Sequence, residues 1–202
     1  MKDVKTALYY ASIAYILLLS ALFLTGRVGS GYPGREKRGT RAAAAAGRGV
    51  LLLLWAGAAL YVTVLSRLGR DLPGRFIFSS GETMRSYAEG RINLDPFRTV
   101  RNMIRGTRAG TFSPAAAALN IAGNLILFCP VAGFVRSFSR RGRILLTFLW
   151  SLIGSLAVEA TQLLLTAGSF DVDDVILNAG GAVLFALILA AARGAGRRKK
   201  IK

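Results

Sequence analysis

The sequence predicts an all-α protein, a polytopic transmembrane helix bundle of about five spans. Three observations carry that expectation. Of the 202 residues, 53% are hydrophobic, and the mean hydropathy is +0.46. The apolar residues gather into long runs, and a hydrocarbon layer ~30 Å thick takes ~20 helical residues to cross. The Lys and Arg residues lie between those runs, where membrane topology requires positive charge.

The first span covers about Thr6–Leu24. Its MKDVK start also fits a cleaved signal peptide, but the apolar stretch is long for one and no A-x-A site follows. A Gly-rich basic loop, RVGSGYPGREKRGTR, leads to a second span at about Val50–Leu65. This span begins a turn earlier if Arg48 snorkels outward. The one long connection, Ser66–Pro114, precedes spans at Ala115–Val135, Ile144–Thr166 and Val175–Ala192. Their links are short: RSFSRRGR, then AGSFDVDD. The tail RGAGRRKKIK has the composition of an anchor on anionic cytoplasmic lipid. No internal repeat is visible.

The net charge is +17, from 27 Lys and Arg against 10 Asp and Glu. Because this charge flanks apolar runs, the expected partner is a bilayer with anionic headgroups and not nucleic acid. Loops one and three and the tail hold 5, 4 and 6 Lys or Arg, and parity puts them on one face. The long connection, with 9, falls on the other. Short loops weigh most, so the expected orientation is N-terminus outside, C-terminus cytoplasmic. There is no histidine and only one cysteine, Cys129. That composition argues against disulfides, the usual zinc sites and triads built on His. No metal or cofactor is expected.

Parity has a second consequence, independent of orientation: the long connection and the acidic link 167–174 share a side. At a rise of ~1.5 Å per residue, Glu159 lies roughly 10 Å below that surface. Asn178 lies roughly 5 Å, Asn120 roughly 8 Å and Asn124 roughly 14 Å below it. Ser151, Ser155, Glu159 and Gln162 follow helical spacing along one face. An unpaired ionisable residue in a span costs roughly 2.5–3.5 kcal/mol, so Glu159 should face the bundle. Asn120, Asn124 and Asn178 are its expected partners. Interhelical hydrogen bonds contribute ~0.6 kcal/mol on average, and Asn120 and Gln162 fit simple helix glue. A carboxyl is costly glue where Gln would serve, which makes Glu159 the one candidate acid or base.

FDVDD carries three acids in four residues, Asp171, Asp173 and Asp174. It fits either helix capping or a cation or Arg site. Within RINLDPFRTVRNMIRG, Asp95 has the chemistry of an N-cap and Pro96 that of the first helical position. Phe97, Val100 and Ile104 then form an apolar stripe beside Arg98, Arg101 and Arg105. That pattern fits a helix lying in the membrane interface, with a solvated basic loop as the alternative.

NLDPF (93–97), NLILFCP (124–130), SLAVEATQ (155–162) and FDVDDVILNAGGA (170–182) together resemble the VanZ-like membrane family, in its order and about its spacing. The resemblance covers roughly Leu60–Leu189. It divides the chain into an added span and basic loop (1–41), a VanZ-like membrane domain of four helices (42–193) and a basic tail (194–202). The motif positions are Asn93, Pro96 and Phe97, then Asn124, Phe128 and Pro130, then Glu159 and Gln162. The last motif supplies Asp171, Asp173, Asp174, Asn178 and Gly181. Two positions depart: Ala132 stands where the family has Gly, with Gly133 next, and Gly168 stands where an Arg often precedes the acids. The family is named for a protein associated with low-level teicoplanin resistance. The resemblance therefore implies a role at the bacterial cell envelope. The leading expectation is a factor that binds a polar or glycolipid-type ligand, such as a lipid-linked wall precursor, and affects glycopeptide susceptibility, through a polar pocket open to the outer face and lined by Glu159, Gln162, Asn124, Asn178 and the acidic link. An intramembrane enzyme on a lipid-linked phosphate or sugar, with Glu159 as acid or base, and a small proton-coupled transporter are the alternatives.

Overall fold

The computed structural model describes residues 2–25, 38–67, 85, 87–139 and 143–198. The first basic loop at 26–37, the stretch 68–84 with Ser80, residues 140–142 and the tail's end at 199–202 lie outside them. Within the described residues, five helices are long and apolar enough to cross a membrane. They are Val4–Leu24, Ala43–Leu65, Pro114–Phe138, Arg143–Leu164 and Val172–Ala192. The chain is a multi-pass, all-α membrane protein.

In order, the elements are α1 (Lys2–Leu24), α2 (Arg38–Leu60) with a π-helical last turn (Tyr61–Leu65), β1 (Ile92–Asn93) and α3 (Arg98–Arg108). Then come α4 (Pro114–Leu127), α5 (Cys129–Phe138), α6 (Arg143–Leu164), β2 (Phe170–Asp171) and α7 (Val172–Arg198). The second span starts earlier than Val50, so Arg48 sits inside a helix. The third span is two helices. Pro130 has no N–H to continue the ladder, and Val131 N bonds Phe128 O at 3.0 Å instead of the next carbonyl back. The released carbonyl of Leu127 accepts from Trp55 Nε1 at 3.1 Å. A break forced by one proline thereby ties the second span to the third.

Helix α7 is the hub, with α4, α5 and α6 all packed on it. Close approach to α4 depends on Gly181, where an added Cβ would run into the backbone carbonyl of Leu125. Gly180, its neighbour, faces open space. Helix α1 docks on α5 through Phe23, whose ring occupies the room left by Gly133. That ring meets Phe134 edge-on at 5.0 Å, while Trp55 meets Phe128 at 5.5 Å. The outer faces expose Leu145, Trp150 and Ile153 on α6 and Leu184 and Leu187 on α7. In water such a surface would be a liability; in a bilayer it faces lipid.

Gly181→Ala should destabilise the protein by ~1–3 kcal/mol, because the clash is with backbone that cannot rotate away. Gly180→Ala should be neutral or slightly stabilising. Thermal melting of both variants in one detergent decides this; equal midpoints would show that the Gly181 contact is not limiting.

Candidate functional site

The long connection and the acidic link meet, as parity requires. The strands β1 and β2 pair in parallel, Ile92 with Phe170 and Asn93 with Asp171, and Phe170 N bonds Arg91 O at 2.9 Å. This short pairing sits at the membrane-surface end of α6 and α7. Thr166, in the left-handed region at φ 50°, turns the chain there.

Each acid then has its own donors. Asp171 caps α7 by accepting from Asp173 N at 2.9 Å. It also accepts from Asn93 Nδ2 at 2.9 Å and Thr99 Oγ1 at 2.5 Å. Asp173, only 1% exposed, reaches across to α3, accepting from Phe97 N and, at 3.0 Å, from Val100 N. Asn124 Nδ2 donates to Asp174. Glu159, also 1% exposed, accepts from Asp171 N at 2.8 Å. Charge-assisted bonds of this kind contribute ~1.5–3 kcal/mol each, enough to hold a surface segment on the bundle. Of the two readings of FDVDD, capping prevails.

Two expectations are corrected here. Asp95 is not the N-cap of α3, and Pro96 is not its first residue. The helix begins at Arg98, Phe97 occupies the cap position at φ 64°, and the capping carboxylate comes from Asp173, distant in sequence. Asp95 instead pairs with Arg101 at 3.1 Å, and its own amide bonds Asn93 Oδ1 at 3.2 Å. Nor are the three Asn residues partners of Glu159. Asn124 serves Asp174, Asn178 Nδ2 donates to Ser155 Oγ at 2.8 Å, and Asn120 joins none of these bonds among the described residues.

Ser151, Ser155, Glu159 and Gln162 are all buried on one face of α6. Gln162 Nε2 donates to Thr63 O at 3.0 Å. Thr63 lies in the π turn, where Ser66 N reaches back to Tyr61 O at 2.9 Å. Gln162 is thus a strut between the second and fourth spans. Ser151 Oγ on this face and Asn178 Oδ1 on α7 are buried polar atoms without a partner among the described residues.

On α3, Arg98, Arg101 and Arg105 are exposed, Val100 is half-buried, and Phe97 and Ile104 are 51% and 45% exposed. Within the described residues, no group of three or more His, Cys, Asp and Glu could hold a metal ion. Thr99 and Thr63 are parts of this network that the sequence did not single out. A threonine two residues past NLDPF was the only available sign of the first.

Removing the Asp173 carboxylate should loosen α3. Buried donors left unmade cost ~1–3 kcal/mol, so Asp173→Ala should speed hydrogen exchange at Phe97 and Val100 by about 10-fold or more. Asp173→Asn, which keeps one acceptor oxygen, should show a smaller change. Exchange unaltered in both variants would exclude Asp173 as the cap.

No curated protein and no solved structure matches the chain. A family scan matches VanZ/LLP1 over residues 51–193, which takes in the hub helix, the acid-capped junction and the buried face of α6. The motifs that build the junction are thus spread along a match covering most of the chain, and the protein belongs to the VanZ/LLP1 family.

Proposed function

We propose that this VanZ/LLP1 protein is a bacterial cell-envelope factor that binds a polar or glycolipid-type ligand and influences glycopeptide susceptibility of the teicoplanin type. The observation that carries it is the unspent polar capacity below the junction. Asn178 is 1% exposed, its Oδ1 has no partner among the described residues, and its Nδ2 donates to Ser155, one helical turn along α6 from Glu159. Polar groups retained only as glue would be satisfied by one another, as Gln162 is by Thr63. A buried amide oxygen with no donor fits a group that accepts from a visiting hydroxyl or amide. Glu159, held by a backbone amide, offers a second acceptor one turn along α6 from Ser155.

The junction faces outward in this proposal, with the N-terminus outside and the C-terminus in the cytoplasm, as the short basic loops require. Arg98, Arg101 and Arg105, exposed on α3, then hold anionic headgroups while Val100 and Ile104 lie toward the acyl boundary. A membrane-impermeant maleimide tests the orientation. In a Cys129→Ser background, a cysteine at Ser169 should label from outside intact cells and one at Ser139 should not. The reverse pattern would invert the protein.

Glu159→Gln tests the function. It preserves size and the acceptor for Asp171 N while removing the ionisable group, so insertion and melting should match the wild type. Teicoplanin susceptibility in a host dependent on the protein should shift to that of the deletion. Gln162→Glu should instead lower stability by ~1–3 kcal/mol, because a carboxylate cannot donate to Thr63 O. A Glu159→Gln protein with the full wild-type phenotype would reduce Glu159 to packing.

A further inference from the structure

A cavity of about 750 Å³ opens beside the junction, between the start of α1, the end of the π turn and the 167–169 link. Three cations from three separate segments line it: Lys5, Arg67 and Arg91, with Tyr9 and Tyr10 as further wall. Among the described residues no carboxylate lines it. Arg67 also lies within electrostatic reach of Glu159 and Asp174. The volume lies within the ~300–1,000 Å³ usual for small-molecule sites.

The cations are placed by the fold. Arg91 stacks over the ring of Tyr87 at 4.4 Å and donates to its hydroxyl at 3.4 Å. That hydroxyl in turn donates to Gly168 O at 3.0 Å, fixing Arg91 against the rim. Tyr61 OH donates to Lys5 O at 3.0 Å, which pins the first turn of α1 to the π turn that Arg67 follows. Snorkelling side chains would radiate toward the bilayer around the perimeter. These converge on one space.

Both Val4–Leu24 and Ala43–Leu65 have their span ends here, so the cavity lies at the depth of lipid phosphates, where Tyr residues are also favoured. Three cationic groups approaching from different directions match an oxyanion with several oxygens better than a single carboxylate. We propose that this cavity binds the phosphate group of a phosphate ester, with Lys5, Arg67 and Arg91 around its oxygens and the ester's remainder against Tyr9 and Tyr10. Lys5, Tyr9 and Tyr10 precede residue 51, where the family match begins. The site is therefore a property of this chain's first span. Glu159 is not among its lining residues, and either proposal can fail without the other.

The test uses the full chain in neutral-lipid nanodiscs, with binding measured by isothermal titration. The probes are dihexanoyl phosphatidic acid, inorganic phosphate and dihexanoylglycerol. Phosphatidic acid should bind and the phosphate-free dihexanoylglycerol should not. Lys5→Gln, at an exposed position, and Arg67→Gln should each weaken binding about 10-fold or more, whereas Arg67→Lys should retain most of it. Inorganic phosphate that competes at similar affinity assigns the site to the free anion. Failure to compete at large excess assigns it to a lipid headgroup. The proposal is overturned if dihexanoylglycerol binds as well as phosphatidic acid, if neither phosphate probe binds, or if the folded Lys5→Gln/Arg67→Gln double variant binds like wild type.

Discussion

Asp173 places one carboxylate between two helix N-termini. It lies in the first turn of α7, and its oxygens take the amides of Phe97 and Val100 at the start of α3. Each helix start presents unsatisfied N–H groups and a partial positive charge, so an acid that would be costly to bury alone has two sources of compensation. Once Asp173 is fixed, the rest of the junction has little freedom. Asp171 caps α7 and holds Asn93 and Thr99, which aligns β1 with β2. That alignment carries the Asp171 amide over Glu159. The carboxyl within the fourth span is therefore positioned by a chain of bonds that begins outside the membrane segment.

The polar residues of the bundle divide by what they touch. Gln162 joins two spans through the Thr63 carbonyl, and Asn124 joins α4 to the first turn of α7 through Asp174. Both bonds connect elements that apolar packing alone would hold loosely, since lipid competes for apolar contact inside a membrane. Asn178 differs: its amide nitrogen is bound to Ser155, but its oxygen has no partner among the described residues. Small residues complete the scaffold. Gly181 admits the α4 backbone, and Gly133 admits Phe23 of α1. The two neighbours in this second case differ in what they face: Gly133 meets Phe23 of the first span, while Ala132 packs near Ala186 and Leu189.

The spans were legible because bilayer thickness sets their length, and the common side of the two polar segments followed from parity. The buried face of α6 was legible because helical spacing admits only one face for Ser151, Ser155, Glu159 and Gln162. The partners were not. Glu159 bonds a backbone amide that reaches it only after the left-handed turn at Thr166, and no side-chain pattern advertises a backbone donor. Asp95–Pro96 carries sound local capping chemistry, yet the stronger buried cap arrives from Asp173, leaving Asp95 to Arg101. The two-residue strands are too short for any alternation to show. Pro130 was visible, but reading Ala115–Val135 as one helix passed over the missing N–H that it implied.

The two ends of the charge distribution at this surface belong together. The acids of the link are spent on donors inside the fold, so they do not line the neighbouring cavity. Of the cations that do line it, Arg67 is within electrostatic reach of Glu159 and Asp174, and Arg91 is held by Tyr87. An acidic link engaged with its own cations would have closed this space. Because Asp171 and Asp173 are instead taken up by amides, Asn93 and Thr99, neither carboxylate is among the described residues that line the basic surface beside them. Capping α3 and α7 with the same short acidic segment thus keeps Asp171 and Asp173 out of the described lining of the cavity at the mouth of the first and second spans.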